Sequence, residues 1–251
     1  MTAPSILVLF TDPLGVADIG GTLAKHSKAG ANVVAAILWE YPDKVLKQIK
    51  KTASILKIQT RVLGYRRGEV SADLSTKKRI VKIIRQVKPD IAITFDPKFA
   101  ANTTYGDHIV THQLMMDALG LCCRENFAPE HLKEGLEPWF VKAVYYPFWG
   151  LRGRPDVIVD ITGTFQLKVK ATLALKGQCR ATGKILPIFY AEGALEAVLP
   201  TYRKTNVMKT GKEWQKERRR AAARFIGDQA DVAFGEAFKR TEPLRLDYLT
   251  T

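Results

Sequence analysis

The sequence predicts an α/β fold of the Rossmann-like kind: an open, mostly parallel sheet with flanking helices and a C-terminal elaboration. Three observations lead there. Short apolar runs recur along the first two thirds of the chain, and stretches of helical period separate them. The runs are nearly continuous in apolar residues, as strands covered on both faces must be. The chain has 251 residues and is 46% hydrophobic, so one domain spanning 1–251 can bury a core without disulfide or metal staples.

The strand runs are Ser5 to Phe10, Ala31 to Leu38, Thr60 to Leu63, Asp90 to Phe95, Val141 to Tyr146 and Val157 to Ile161. After the first, Thr22 reads as the N-cap of a helix that reaches Lys28, and Gly30 stops it. Asp43 opens a second helix to about Leu56, its apolar stripe running through Ile49 and Ala53 and its lysines lying elsewhere. Ser75 caps a third, in which Ile80, Val81, Ile83, Ile84 and Val87 are apolar and Lys77, Lys78, Lys82 and Arg85 fall on the polar side; Pro89 ends it. A loop from Asp96 to Gly106 leads into a helix from about Asp107 to Cys123. Further on, Thr162 to Gln178 and Trp214 to Arg224 read as helices, Leu186 to Ala191 as an extended piece, and Asp228 to Phe238 as a continuation in helical period.

The net charge is +14, from 39 Lys+Arg against 25 Asp+Glu, which invites a phosphate-bearing partner. Most of those cations fall on the outer sides of amphipathic helices, where a solvated surface is the ordinary outcome. The segment Lys209 to Arg224, with Arg218-Arg219-Arg220, is the one dense patch, yet it matches no nucleic-acid motif. The sequence therefore disfavours nucleic acid as a partner. Three cysteines, two of them adjacent, form neither a disulfide framework nor a metal knuckle. With no targeting signal and no apolar run of membrane length, the expectation is a cytoplasmic protein.

In open parallel sheets ligands sit at the carboxyl ends of the strands. The loop after the first strand carries Asp12, Asp18 and Gly20-Gly21; the loop after the fourth carries Asp96, Asn102, Tyr105, Asp107 and His108, with His112 one turn later. His108 and His112 share a helix face and could ligate one metal, with Asp96 or Asp12 as an oxygen partner. His108 is expected in a pocket, whereas His26 and His131 read as surface residues. Gly20-Gly21 could cradle an anion at a helix start, though no G-x-G-x-x-G or Walker pattern is present.

Taken in order, several segments resemble the PIG-L/LmbE-like family of zinc-dependent N-acetylglucosaminyl deacetylases. They include Ile6 to Phe10 before Gly20-Gly21-Thr22-Leu23-Ala24, Leu63-Gly64-Tyr65, Pro89-Asp90 through Phe95-Asp96-Pro97, Tyr105-Gly106-Asp107-His108 and Val144-Tyr145-Tyr146. The resemblance implies a zinc site built on A-H-P-D-D-E after the first strand and a later H-P-D-H. Counted back from Gly20-Gly21-Thr22, the first motif falls on Phe10 to Gly15, so Thr11 stands at the His ligand, Pro13 at the general base and Leu14 at the Asp ligand. The second falls on Tyr105 to His108: His108 matches the third ligand and Tyr105 replaces a histidine that acts as a transition-state partner. Asp96 matches a supporting Asp, and Leu175 replaces a late histidine.

The leading expectation is thus a deacetylase-fold protein that has lost zinc-dependent hydrolysis and acts as a binding or regulatory component, with no cofactor. The first alternative is an active metal-dependent de-N-acetylase or amidase on an N-acetylated sugar conjugate. It would hold zinc, at low occupancy or in a rearranged site, on His108 with Asp12, Asp96 or His112, and Asp12, Asp96 and Tyr105 are its catalytic candidates. The second alternative is a sugar-phosphate or nucleotide binder using Gly20-Gly21 with Arg152 or Arg154. The resemblance also implies self-association as a homo-oligomer.

Overall fold

Residues 3–101, 103, 105–149, 154–176 and 211–241 are described by a computed structural model of the chain. Strands β1 (Ile6–Phe10), β2 (Val33–Trp39), β3 (Gln59–Tyr65), β4 (Ile91–Ile93), β5 (Ala143–Pro147), β6 (Val157–Asp160) and β7 (Gly235–Arg240) form one sheet in the order β3-β2-β1-β4-β5-β7-β6. The first five run parallel, and β7 pairs antiparallel with both β5 and β6. Helices α1 (Pro13–Asp18), α2 (Gly20–Lys28), α3 (Asp43–Leu56), α4 (Leu74–Val87), α5 (Pro97–Ala101), α6 (Gly106–Leu121), α7 (Pro129–Lys133), α8 (Phe165–Ala174) and α9 (Gly211–Gly227) connect and cover them. The predicted class is the observed one.

The two-residue period of the central strands splits their apolar residues between two cores. Leu7, Leu9, Val34, Ala36 and Leu38 pack against α4 and α6, while Ile6, Val8, Phe10, Val33, Ala35 and Ile37 pack on the side of α1, α2 and α3. Every residue of β1 and β2 is buried, which explains why both read as continuous apolar runs. Full burial of each Val, Leu, Ile or Phe side chain among them is worth about 1.5–3 kcal/mol. The sheet order reverses direction at β1, between β2 and β4, and that crevice is where a ligand site belongs.

Several local expectations are corrected. Asp73, not Ser75, caps α4, accepting from the Thr76 amide at 2.8 Å. Thr22 lies inside α2, which starts at Gly20. The helix expected over Thr162 to Gln178 is observed as α8, and Gln178, the extended piece Leu186 to Ala191, Asn102, Arg152 and Lys209 lie outside the described residues. Asp228 to Phe238 is not a helix: a 3-10 turn over Asp228–Ala230 ends at Asp231 in the left-handed region (φ 52°), and β7 follows.

Two residues assigned to the surface are interior. Arg85 is fully buried, donating through Nε to the Cys122 carbonyl (3.1 Å), through Nη1 to that of Ala128 (3.3 Å), and through Nη2 to those of Arg124 (2.6 Å) and Phe127 (3.0 Å). His131, also buried, lies beside it with Nδ1 3.5 Å from Nη1. A cation inside the protein is tolerable because these carbonyl dipoles replace its hydration.

Candidate functional site

β1 delivers Asp12 and β4 delivers Phe95 to the same end of the sheet. Asp12 caps α1: Oδ1 accepts from the amides of Leu14 (2.8 Å) and Gly15 (3.3 Å), and Oδ2 accepts from the hydroxyl of buried Thr11 (3.2 Å). Beside it opens a cavity of about 280 Å³. Asp12, Leu14 and His108 line one end; Asp18, Lys168, Arg218 and Arg219 line another part of its wall. Phe95, Phe99, Phe148 and Trp149 supply aromatic walls, and Phe225 on α9 also reaches the cavity.

His108 sits in the first turn of α6, stacked on Phe95 with ring centroids 4.4 Å apart and near Tyr105 at 5.4 Å. The Thr103 hydroxyl lies 3.0 Å from both the Ala100 carbonyl and His108 Nδ1; when it donates to the carbonyl, it accepts from Nδ1–H. In the neutral ring Nε2 is then a lone-pair acceptor, and it is buried without a hydrogen-bond partner. Burial pushes the His108 pKa below its ordinary value, and the nearby charges of Asp12 and Asp107 only partly oppose this. Asp107 itself is occupied, accepting from Trp39 Nε1 and the Gly68 amide, each at 2.7 Å.

The other candidates are placed apart. Asp96 caps α5 through the amides of Lys98 (2.7 Å) and Phe99 (3.0 Å). His112 is turned to the Phe95 carbonyl, 2.9 Å from Nδ1, and packs near Tyr146. Tyr105 packs against Trp39 at 5.7 Å, with Arg67 stacked over the Trp39 ring at 4.2 Å. Of the predicted set, Asp12 and His108 share the cavity; Asp96, His112 and Tyr105 do not line it.

The Gly20-Gly21 cradle is filled from within the protein. Glu236 on β7 accepts from the amides of Gly21 (3.0 Å) and Thr22 (2.8 Å) and pairs with Lys168 Nζ at 2.8 Å. A helix start favours an anion, and here the anion is a buried side chain. This removes the donors on which a phosphate at Gly20-Gly21 would depend. Gly21 is required for a second reason, since a Cβ there would meet Ile161 at 2.8 Å.

Sequence reasoning missed Glu236, Lys168 and the aromatic walls. A signal was available for the walls, because Phe95 and Phe148-Trp149 directly end strand runs. Arg218 and Arg219 were noticed as a patch on the surface, whereas Arg219 is buried and pairs with Asp18 at 2.5 Å.

A zinc ion is what the resemblance implies at this place, and the residues present do not fit it. Thr11 and Leu14 stand at two ligand positions, Leu14 presents hydrocarbon to the cavity, and no group of three or more His, Cys, Asp or Glu side chains assembles among the described residues. A protein zinc site takes three or four such donors.

The fold and site define an α/β protein with a cavity at the strand ends that Asp12 and His108 share. Residues 16–119 match the family model described as PIG-L, GlcNAc-PI de-N-acetylase, a match that begins just past the Thr11 to Gly15 loop. Over that segment the chain is similar to the PIG-L family. No curated protein matches the sequence significantly. Among solved structures, N,N'-diacetylchitobiose deacetylase from Pyrococcus horikoshii, in complex with an inhibitor, is similar at 22% identity and TM-score 0.70, over 95% of this chain and 84% of that one. The conserved protein TT1542 from Thermus thermophilus matches at 18% and 0.71, covering 98% and 97%. GalB, the 4-carboxy-2-hydroxymuconate hydratase from Pseudomonas putida, matches at 17% and 0.70, covering 98% and 99%. At these identities the likeness shows the fold.

Proposed function

We propose that this protein is a PIG-L-type deacetylase-fold protein that no longer performs zinc-dependent hydrolysis and acts as a small-molecule-binding or regulatory component. One observation carries the reading: the metal loop holds Thr11, Pro13 and Leu14, so two ligands and the proton acceptor are replaced by groups that cannot take those roles, Thr11 being engaged with Asp12. Loss of a positioned general base alone costs about 10²–10⁴-fold in rate. The fold's appearance in both a deacetylase and a hydratase supports the view that the scaffold is retained while its chemistry changes. The free thiols of Cys122 and Cys123 support a reducing, cytoplasmic setting, and no helix among the described residues is long and apolar enough to cross a membrane.

The unpartnered Nε2 of His108 beside Asp12 favours a second reading, an active rearranged metal site. Elemental analysis of the purified chain separates the two. The expected result is zinc far below one per chain and no release of acetate from N-acetylglucosamine conjugates. Stoichiometric zinc that disappears, together with hydrolysis, in His108→Ala would overturn the proposal.

A further inference from the structure

We propose that the strand-end cavity binds an uncharged planar ring that carries an O–H or N–H donor, the donor on His108 Nε2 and the ring against Phe95, Phe99 and Trp149. The inference rests on the reading that the site lacks its metal, and names the class of ligand the altered site takes. His108 supplies the first observation. The residue is 7% exposed and lines the cavity, its Nδ1 lies 3.0 Å from the Thr103 hydroxyl, and Nε2, the other ring nitrogen, is buried without a hydrogen-bond partner. With that hydroxyl donating to the Ala100 carbonyl and burial favouring the neutral ring, Nε2 is an acceptor. A buried acceptor is costly until a donor reaches it, so the complementary ligand group carries a hydrogen.

The walls set the shape of the rest. Phe95 stacks on the His108 ring with centroids 4.4 Å apart, which puts the acceptor beside the aromatic surface, within reach of a donor attached directly to a ring. Trp149 meets Phe99 edge-on at 4.8 Å and Phe95 at 5.8 Å, and planar surfaces facing in two directions favour a flat unsaturated ligand over a puckered one. A volume of about 280 Å³ lies at the lower end of ligand cavities and suits one ring. The charges decide that the ring is neutral. The cations on the wall, Lys168, Arg218 and Arg219, are matched in number by Asp12 and Asp18 on the same wall together with buried Glu236. Glu236 pairs with Lys168 at 2.8 Å, and Asp18 lies 2.5 Å from Arg219 and 3.7 Å from Arg218. Among these groups no charge is left for an ionic ligand to answer, and a charge taken out of water without a partner is costly, so an uncharged ligand is preferred to an anion or a cation.

The test uses the full-length protein and titration calorimetry at neutral pH, with methyl 4-hydroxybenzoate as the probe. Saturable binding is expected, weaker by at least about tenfold when the phenol is capped as its methyl ether or when the ester is replaced by the free acid. The saturated cyclohexane analogue should bind at least about threefold more weakly. His108→Phe keeps a ring but removes the acceptor, so it should bind phenol and ether alike; a merely structural role for His108 would weaken both and keep their ratio. The ligand series needs no altered protein, so it decides the matter even if the variant fails to fold. No saturation by about 1 mM, equal affinity for phenol and ether, or binding of the acid or the ether as tight as that of the probe or tighter, overturns the ligand class. Zinc-free protein that prefers N-acetylglucosamine overturns the ligand class alone, whereas stoichiometric zinc lost in His108→Ala overturns the reading beneath it.

Discussion

Replacing Glu236 by Gln should be among the most damaging single changes in this protein. The carboxylate is 5% exposed and takes three donors at once, the Gly21 and Thr22 amides and Lys168 Nζ. Glutamine keeps one oxygen for an amide but turns the group neutral, leaving the Lys168 ammonium, 7% exposed, without its carboxylate. Removing one partner of a buried ion pair costs about 3–5 kcal/mol. For a chain of this length each kcal/mol moves Tm by about 2–4 °C, so a drop of about 6–20 °C is expected. Urea unfolding would measure the loss, and Lys168→Met in the same background should recover part of it, because the unpaired charge is then gone. A loss below about 1 kcal/mol for Glu236→Gln, or strict additivity in the double variant, would refute the account.

Three further outcomes are expected. Arg85→Met should cost at least about 3 kcal/mol in chemical denaturation, since four hydrogen bonds from a buried guanidinium are lost together. Gly21→Ala should cost about 1–3 kcal/mol through the contact with Ile161, with the unfolding slope unchanged. Stability should also decline as pH falls below about 6.5: burial lowers the folded-state pKa of His26, His108 and His131, so the unfolded chain takes up protons first. That stabilisation is complete above the unfolded value and is lost as pH drops through the folded one. A Tm unchanged between pH 7 and pH 5 would contradict this last expectation.

The parallel half of the fold was legible because its strands are buried on both faces and its helices, α3 and α4, carry clean apolar stripes. β7 was not. It contains Gly235, Glu236 and Lys239, and its most charged interior residue is there for α2, a partner about two hundred residues away in sequence. Local pattern holds no trace of such a pair. Arg85 failed for a related reason: on a helix rich in exposed cations, only tertiary carbonyls distinguish the one that is buried. α1 was hidden by Pro13 and Gly15, which read as loop until Asp12 is seen to cap it. At the site, His108 was legible from its place at a helix start, and Asp12 from its place after a strand. Which acidic and basic groups meet across the cavity depended on α8 and α9, whose docking no local period encodes.

The order of the sheet has a consequence for synthesis. β6 pairs only with β7 among the described strands, and β7 also covers the outer edge of β5, yet β7 is the last of those strands to leave the ribosome. Until it does, a nascent chain carries an open parallel sheet edge and an orphan strand whose Val157, Ile158 and Val159 are apolar. Unpaired edges of this kind seek other chains. The protein should therefore depend on a chaperone, or on slow translation of the segment that carries β7, more than its helix-rich first half would suggest.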